Sequence, residues 1–327
     1  MLALILALLS LTSIAAVLFK FITADGDFTL LSKKHAKREE VEDKVVWITG
    51  ASRGIGEVLA KQFASLGAKL IISARNEAEL ERVKKQLTGK HAPDEVIILP
   101  LDLASGEDSL NDAVQKAESC FSGAGVDYMI HNAAYERPKT TALDVTEESL
   151  KATFNINVIG TISLTRLLAA SMLRRGRGHF VVMSSAAGKT PAPGQTVYSA
   201  SKFALNGYFH SLRSELYRKG IKVTIVCPGP IKTSSVPESN TSGQKGSSEK
   251  RVSSERCAEL TIIAVTHGLK EAWISFQPVL AVMYLVQYMP SIGYWLMDKI
   301  GEKRIEVAAQ KGDTYSLSLL LGRKKAL

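Results

Sequence analysis

The stretch KVVWITGASRGIG, residues 44–56, sets the architecture. Residues 44–49 are mostly apolar and β-branched, the composition of a strand buried on both faces. Glycines follow at 50, 54 and 56, where the backbone can turn tightly and approach a pyrophosphate closely. The helix-like EVLAKQFASLG (57–67) then offers its free N-terminal N–H groups and dipole to that anion. The glycine spacing is Gly-x-x-x-Gly-x-Gly, not Gly-x-Gly-x-x-Gly.

Outward from this unit, apolar strand-like runs recur at 69–73, 95–101, 127–131, 179–184 and 222–227, separated by helix-length amphipathic segments. That alternation predicts an α/β fold, a Rossmann-type doubly wound parallel sheet covered by helices on both faces. Local signals agree: Asn76 followed by Glu79 opens the helix NEAELERVKKQL, and Gly89 closes it. No internal repeat is present, and about 280 residues are enough for one large core.

Three polar residues stand out in the second half: Ser185 in VVMSSAAG (181–188), and Tyr198 and Lys202 in VYSASK (197–202). Tyr198 and Lys202 lie four apart, so on a helix they share a face. A nearby ammonium stabilises a phenolate and lowers a pKa that is otherwise near ~10, which turns tyrosine into an acid/base catalyst. Ser185, at the end of an apolar run, can hold a carbonyl or hydroxyl oxygen against the phenol.

With these motifs in this order, residues 44–235 resemble the short-chain dehydrogenase/reductase family. The resemblance implies a catalytic tetrad of Asn157 (in NINVIG), Ser185, Tyr198 and Lys202, with Ser185 also contacting substrate. It implies cofactor contacts from Gly50, Ser52, Arg53, Gly54, Ile55 and Gly56 in the glycine loop, and from Arg75 after the second strand. Asp102 and Leu103 in LPLDL, Asn132 in HNAA, Tyr198 and Lys202 themselves, and Pro228, Gly229, Ile231 and Thr233 in CPGPIKT complete the set. His131 and Ala134 depart from the family's Asn-Asn-Ala-Gly motif, and His131 is read as a strand-end side chain satisfied by neighbouring backbone.

Charge points to the cofactor form. A ribose 2′-hydroxyl is usually received by an acidic side chain at the end of the second strand, whereas a 2′-phosphate calls for a cation. LIISARN places Arg75 there, Arg53 sits in the loop, and 73–75 contain no Asp or Glu. NADP(H) is therefore expected, with NAD left open because Glu77 and Glu79 follow.

The ends speak of a membrane. Leu2 to Phe19 carries no charge and is about the length of a bilayer-spanning helix. A retained anchor is expected over residues 1–28, followed by a basic linker over 29–43; a cleaved signal ending at Ile22-Thr23-Ala24 is the competing reading, although no basic segment precedes the apolar run. Lys20, Lys33, Lys34, Lys37 and Arg38 all follow the span, which places the catalytic domain in the cytosol. The terminal Lys324-Lys325-Ala326-Leu327 resembles a dilysine signal of endoplasmic reticulum membrane proteins, and Asn240-Thr241-Ser242 would be glycosylated only on the lumenal side.

The catalytic domain is read as 44–271, with a Ser- and Gly-rich substrate loop at 233–255. Residues 272–327 form an apolar extension, a substrate wall or membrane contact, ending in a basic tail. Net charge of +9 suits an anionic leaflet, and no nucleic-acid-binding module accompanies it. Three scattered cysteines, Cys120, Cys227 and Cys257, make neither a disulfide framework nor a metal site. The family likeness, closest to its microsomal branch, implies reduction of a lipophilic carbonyl such as a retinoid, keto-steroid or xenobiotic ketone. A 3-keto-lipid or sphingoid-base reductase and a non-catalytic nucleotide-binding scaffold are the other readings. The family often dimerises through the helices bearing Asn157 and Tyr198, which leaves a homodimer open.

Overall fold

The computed structural model describes residues 2–93, 95–136, 141–233 and 250–311, with side chains described between residues 9 and 301. Seven parallel strands form the central sheet: β1 (Val45–Thr49), β2 (Lys69–Ser73), β3 (Val96–Ile98), β4 (Tyr128–His131), β5 (Gly178–Met183), β6 (Ile221–Pro228) and, last in the chain, β9 (Glu271–Ile274). Their spatial order is β3-β2-β1-β4-β5-β6-β9. A two-residue pair, β7 (Ile231–Lys232) and β8 (Val252–Ser253), lies outside the sheet.

Side-chain alternation sorts the sheet into two cores. Val45, Trp47, Ile71, Met129, Phe180 and Val182 pack on α5 (Glu107–Gly123), α7 (Thr161–Arg175) and α8 (Thr196–Leu216). Val46, Ile48, Leu70, Ile72, Ile130 and Val181 face α3 (Gly54–Ser65), α4 (Glu77–Lys84) and α9 (Ser254–Thr266). Every residue of β1 is buried, as the continuous apolar run requires when both faces are covered. The strand order reverses between β1 and β4, and this opens a crevice at the carboxyl ends of those strands.

Strands β1, β2 and β4 to β6 fall within a residue or two of the apolar runs, and the Asn76 carboxamide oxygen caps α4 by accepting from the Glu79 N–H at 3.3 Å. The edge strand β9 is not foreseen by the sequence reading, whose boundary at 271/272 cuts through it. The basic linker expected over 29–43 packs on the domain, with Leu30 and Val41 fully buried, and just before it the Asp27 carboxylate accepts from the Trp273 N–H at 2.6 Å. The Asp27 N–H donates in turn to the Trp273 carbonyl at 2.9 Å, so this segment covers the exposed edge of β9. Loop residues 234–249, Asn240 and the basic tail lie outside the described residues, while 252–255 already form β8 and the start of α9.

At the N-terminus, α1 (Leu2–Thr23) stands away from the sheet with Leu11, Phe19 and Ile22 all more than half exposed. Its C-terminal end meets α10 (Val279–Tyr288), which is followed by α11 (Pro290–Lys311). The Gln277 amide donates to the Phe21 carbonyl at 2.9 Å, and the Phe21 ring stacks on Phe28 and sits edge-on to Tyr284. The four-residue helix α2 (Phe28–Leu31) and α6 (Glu147–Phe154) complete the set.

Candidate active site

At the reversal point, a cleft of about 1060 Å³ is lined by Gly50, Ser52, Arg53, Gly54, Ile55, Arg75, Asp102, Leu103, Asn132 and Thr233, ten of the residues expected from sequence to touch a cofactor. Gly56 lies behind this lining. A Cβ there would come within 2.2 Å of the Gly50 carbonyl oxygen and 2.5 Å of Asn132 Nδ2, so only glycine lets the helix start against the loop. The same Asn132 amide donates to the Thr49 and Gly50 carbonyls, each at 3.1 Å, and fixes the turn in place. The first N–H groups of α3 have no partner within the helix, and no side chain caps them. A dinucleotide fits this donor set: phosphate at the helix start, and cationic Arg53 and Arg75 at the rim, neither of them in an ion pair among the described residues.

Beyond the cleft, hydrogen bonds tie Asn157 to Ser201 on α8, the helix that carries Tyr198 and Lys202, and tie Lys202 to the end of β5, which Ser185 follows. Asn157 sits in a π-helical turn (Asn155–Gly160) joining α6 to α7, a form of helix common at functional sites. Its Oδ1 accepts from the Tyr135 N–H at 2.7 Å, and its Nδ2 donates to the Tyr135 carbonyl at 3.0 Å and to Ser201 Oγ at 3.1 Å. Tyr135 and Ile156 line the cleft, so this amide links its wall to the helix carrying Tyr198 and Lys202. Ser185 follows β5, its hydroxyl accepting from the Ala187 N–H at 3.1 Å.

Lys202 is buried at 2 % exposure, with Nζ donating to the Met183 carbonyl at 2.9 Å and lying 5.5 Å from the centre of the Tyr198 ring. Burial lowers its pKa to about 8, which leaves most of the ammonium protonated at neutral pH. Pro228 ends β6 and Ile231 opens β7 beside this group; neither they nor Gly229 line the cleft itself. A Cβ on Gly229 would meet Ser275 Oγ at 2.2 Å, so the turn is pressed against the residue that follows β9.

His131 belongs to the core and not to the site. Its Nε2 lies 2.8 Å from Thr165 Oγ1, and its ring packs on Phe180 and Phe209. The partner is thus a side-chain hydroxyl, not the backbone expected from sequence. Several contributors were not foreseen from sequence: Tyr135 and Ser201 as the partners of Asn157, and Gly160, where a Cβ would fall 2.1 Å from the Leu103 carbonyl oxygen. Such contacts are set by packing between segments, and only the break in helical pattern at NINVIG hints at the last.

Fold and site together define a nucleotide-binding oxidoreductase of the α/β class, and a family model for short chain dehydrogenase matches residues 44–244. The chain belongs to the short-chain dehydrogenase/reductase family. It is similar to human dehydrogenase/reductase SDR family member 7, with 38 % identity over 92 % of this chain and 91 % of that one. It is also similar to the Drosophila melanogaster family protein 7-like, with 34 % identity over 84 % of this chain and 85 % of that one. Among solved structures, a metagenomic short-chain oxidoreductase in complex with NADP superposes with a TM-score of 0.58 at 25 % identity, covering 69 % of this chain and 92 % of that one.

Proposed function

We propose that this chain is a membrane-bound, NADP(H)-dependent oxidoreductase acting on a lipophilic carbonyl or alcohol. The observation that carries the chemistry is the buried Lys202 ammonium beneath the Tyr198 ring, one helical turn away and tied to the strand end that presents Ser185. The glycine loop, Arg53 and Arg75 would hold the dinucleotide, which when bound would supply or accept the hydride at the substrate carbon. Ser185 positions the substrate oxygen, and Tyr198 gives it a proton in reduction or takes one in oxidation. Lys202 lowers the phenol's pKa, and Asn157 holds Tyr135 and Ser201 so that the catalytic helix keeps its register on the cleft wall. The cation pair Arg53 and Arg75, and the NADP bound by the metagenomic relative, support NADP(H) as the cofactor.

Tyr198→Phe should lower turnover by about 10²- to 10⁴-fold while leaving NADPH binding intact. Cofactor oxidation over a panel of retinal, keto-steroids and 3-keto-lipids measures both the loss and the substrate preference. Most of the activity surviving in the mutant would remove Tyr198 as the acid.

Membrane attachment rests on α1 and its surroundings. Twenty-two residues of helix reach about 33 Å, enough to cross a hydrocarbon core. Another long apolar helix, 147–175, is half buried inside the fold and reads as a core element. Where α1 leaves the body, Phe21, Phe28, Tyr284 and Tyr288 run on in ring contact with Phe28 and Tyr288 exposed, an aromatic group of the kind that sits at a membrane–water interface. The basic residues that follow the span, Lys20, Lys33, Lys34, Lys37 and Arg38, support a cytosolic catalytic domain on the endoplasmic reticulum membrane. Deleting residues 2–20 should release the protein into the alkaline-extractable fraction; retention in the pellet would put its attachment elsewhere. Exposed Leu150, Ile159 and Phe203, on the helices that bear or adjoin the tetrad, are offered as a homodimer face, which sedimentation analysis tests.

A further inference from the structure

Arg82, on α4, reaches across to the glycine loop. Its Nη2 donates to the Ser52 carbonyl at 2.9 Å and to Glu57 Oε2 at 2.8 Å, and its Nε donates to Glu79 Oε2 at 2.8 Å. Ser52 and Glu79 both line the cofactor cleft beside Arg53 and Arg75. The two carboxylates do not depend on Arg82 equally. Glu57 is also held by Lys61 at 2.7 Å, whereas Arg82 is the cation paired with Glu79 among the described residues.

An unpaired carboxylate just after the second strand is the feature that receives a ribose 2′-hydroxyl and repels a 2′-phosphate. No carboxylate stands at the strand end itself, but Glu79, in the first turn of α4, lines the same cleft, and its charge is taken up by the Arg82 guanidinium from the next helical turn. Arg53 and Arg75 then face the rim without ion pairs of their own among the described residues.

We propose that Arg82 determines the preference for the 2′-phosphorylated cofactor by engaging Glu79, so that Glu79 neither repels the phosphate nor accepts from the ribose. The role rests on the NADP(H) reading above and adds to it a residue that does not itself line the cleft. Arg82 acts through Glu79 and is a positioning residue. Its hydrogen bond to Ser52 offers a second, merely structural role that would support any dinucleotide equally.

The test is binding of NADPH and of NADH to the full chain in detergent micelles, by titration calorimetry, for wild type, R82M, E79Q and the double variant R82M/E79Q. Glu79 is half exposed, so solvent screens its charge, and the expected effect is modest: R82M should weaken NADPH by about ten-fold relative to NADH. The double variant should restore the wild-type ratio, because the freed carboxylate is gone. Equal weakening of both cofactors in R82M, unrelieved by E79Q, would overturn the proposal and leave Arg82 as a support for the Ser52 loop. A wild type that binds both cofactors alike would instead overturn the NADP(H) reading, and the role with it. Should R82M not fold, R82K serves in its place, since one ammonium cannot hold all three acceptors in the forked geometry.

Discussion

Acidification should weaken the fold through two histidines that it keeps neutral. His131 and His179 are both buried, and burial lowers each pKa to about 3. Their surroundings give the reason. The Thr165 hydroxyl donates to the Thr161 carbonyl at 2.8 Å, so it can only accept from His131 Nε2, and Nδ1 is left bare and without a partner. A second proton would put an N–H between Phe180 and Phe209 with nothing to receive it. His179 is held likewise, its Nε2 at 2.8 Å from a Thr224 hydroxyl that donates to the Leu269 carbonyl.

Because the folded pKa lies below the unfolded one, the unfolded chain takes up protons first as pH falls. Stability is therefore lost from near pH 6.5 down to about pH 3. Between pH 7 and pH 5 each histidine costs about 2 kcal/mol, together about 4 kcal/mol, against a total of order 5–15 kcal/mol. Glu271 stays out of this window: burial raises its pKa, but hydrogen bonds from His210, Lys189 and Trp273 outweigh that and hold it at about 2. Urea denaturation in micelles at the two pH values, followed by tryptophan fluorescence, measures the difference. H131N and H179Q should each remove about half of the acid loss, and the double variant nearly all of it. A double variant as acid-sensitive as wild type would refute the reasoning.

Gly56→Ala forces a Cβ to within 2.2 Å of the Gly50 carbonyl oxygen, so the loop must move by about an ångström; cofactor affinity should drop by about 100-fold while circular dichroism shows the fold retained. Glu271→Gln removes the charge that Lys189 Nζ and His210 Nε2 each meet at 2.8 Å, and should cost about 2 kcal/mol in denaturant unfolding because Lys189 is left mostly buried and unpaired. No effect on unfolding would mean that this cluster is hydrated in solution.

Much of this protein was legible in its sequence because the signals were local. The glycine loop, the buried apolar strands and the Tyr198/Lys202 spacing depend on backbone conformation and on periods of two and 3.6 residues, which neighbouring residues dictate. The doubly wound sheet and the positions of its first six strands follow from them. What the tertiary structure alone decided are contacts between segments far apart in the chain. Strand β9, only four residues long and carrying Glu271, is a strand because β6 offers it a partner on one side and Asp27 covers it on the other. Asn157 meets Tyr135 and Ser201, and Arg82 meets Ser52, across 22, 44 and 30 residues of chain. No local propensity encodes such meetings. They exist because packing two helical layers on one sheet leaves buried or half-buried polar groups that must find partners where the fold has placed them.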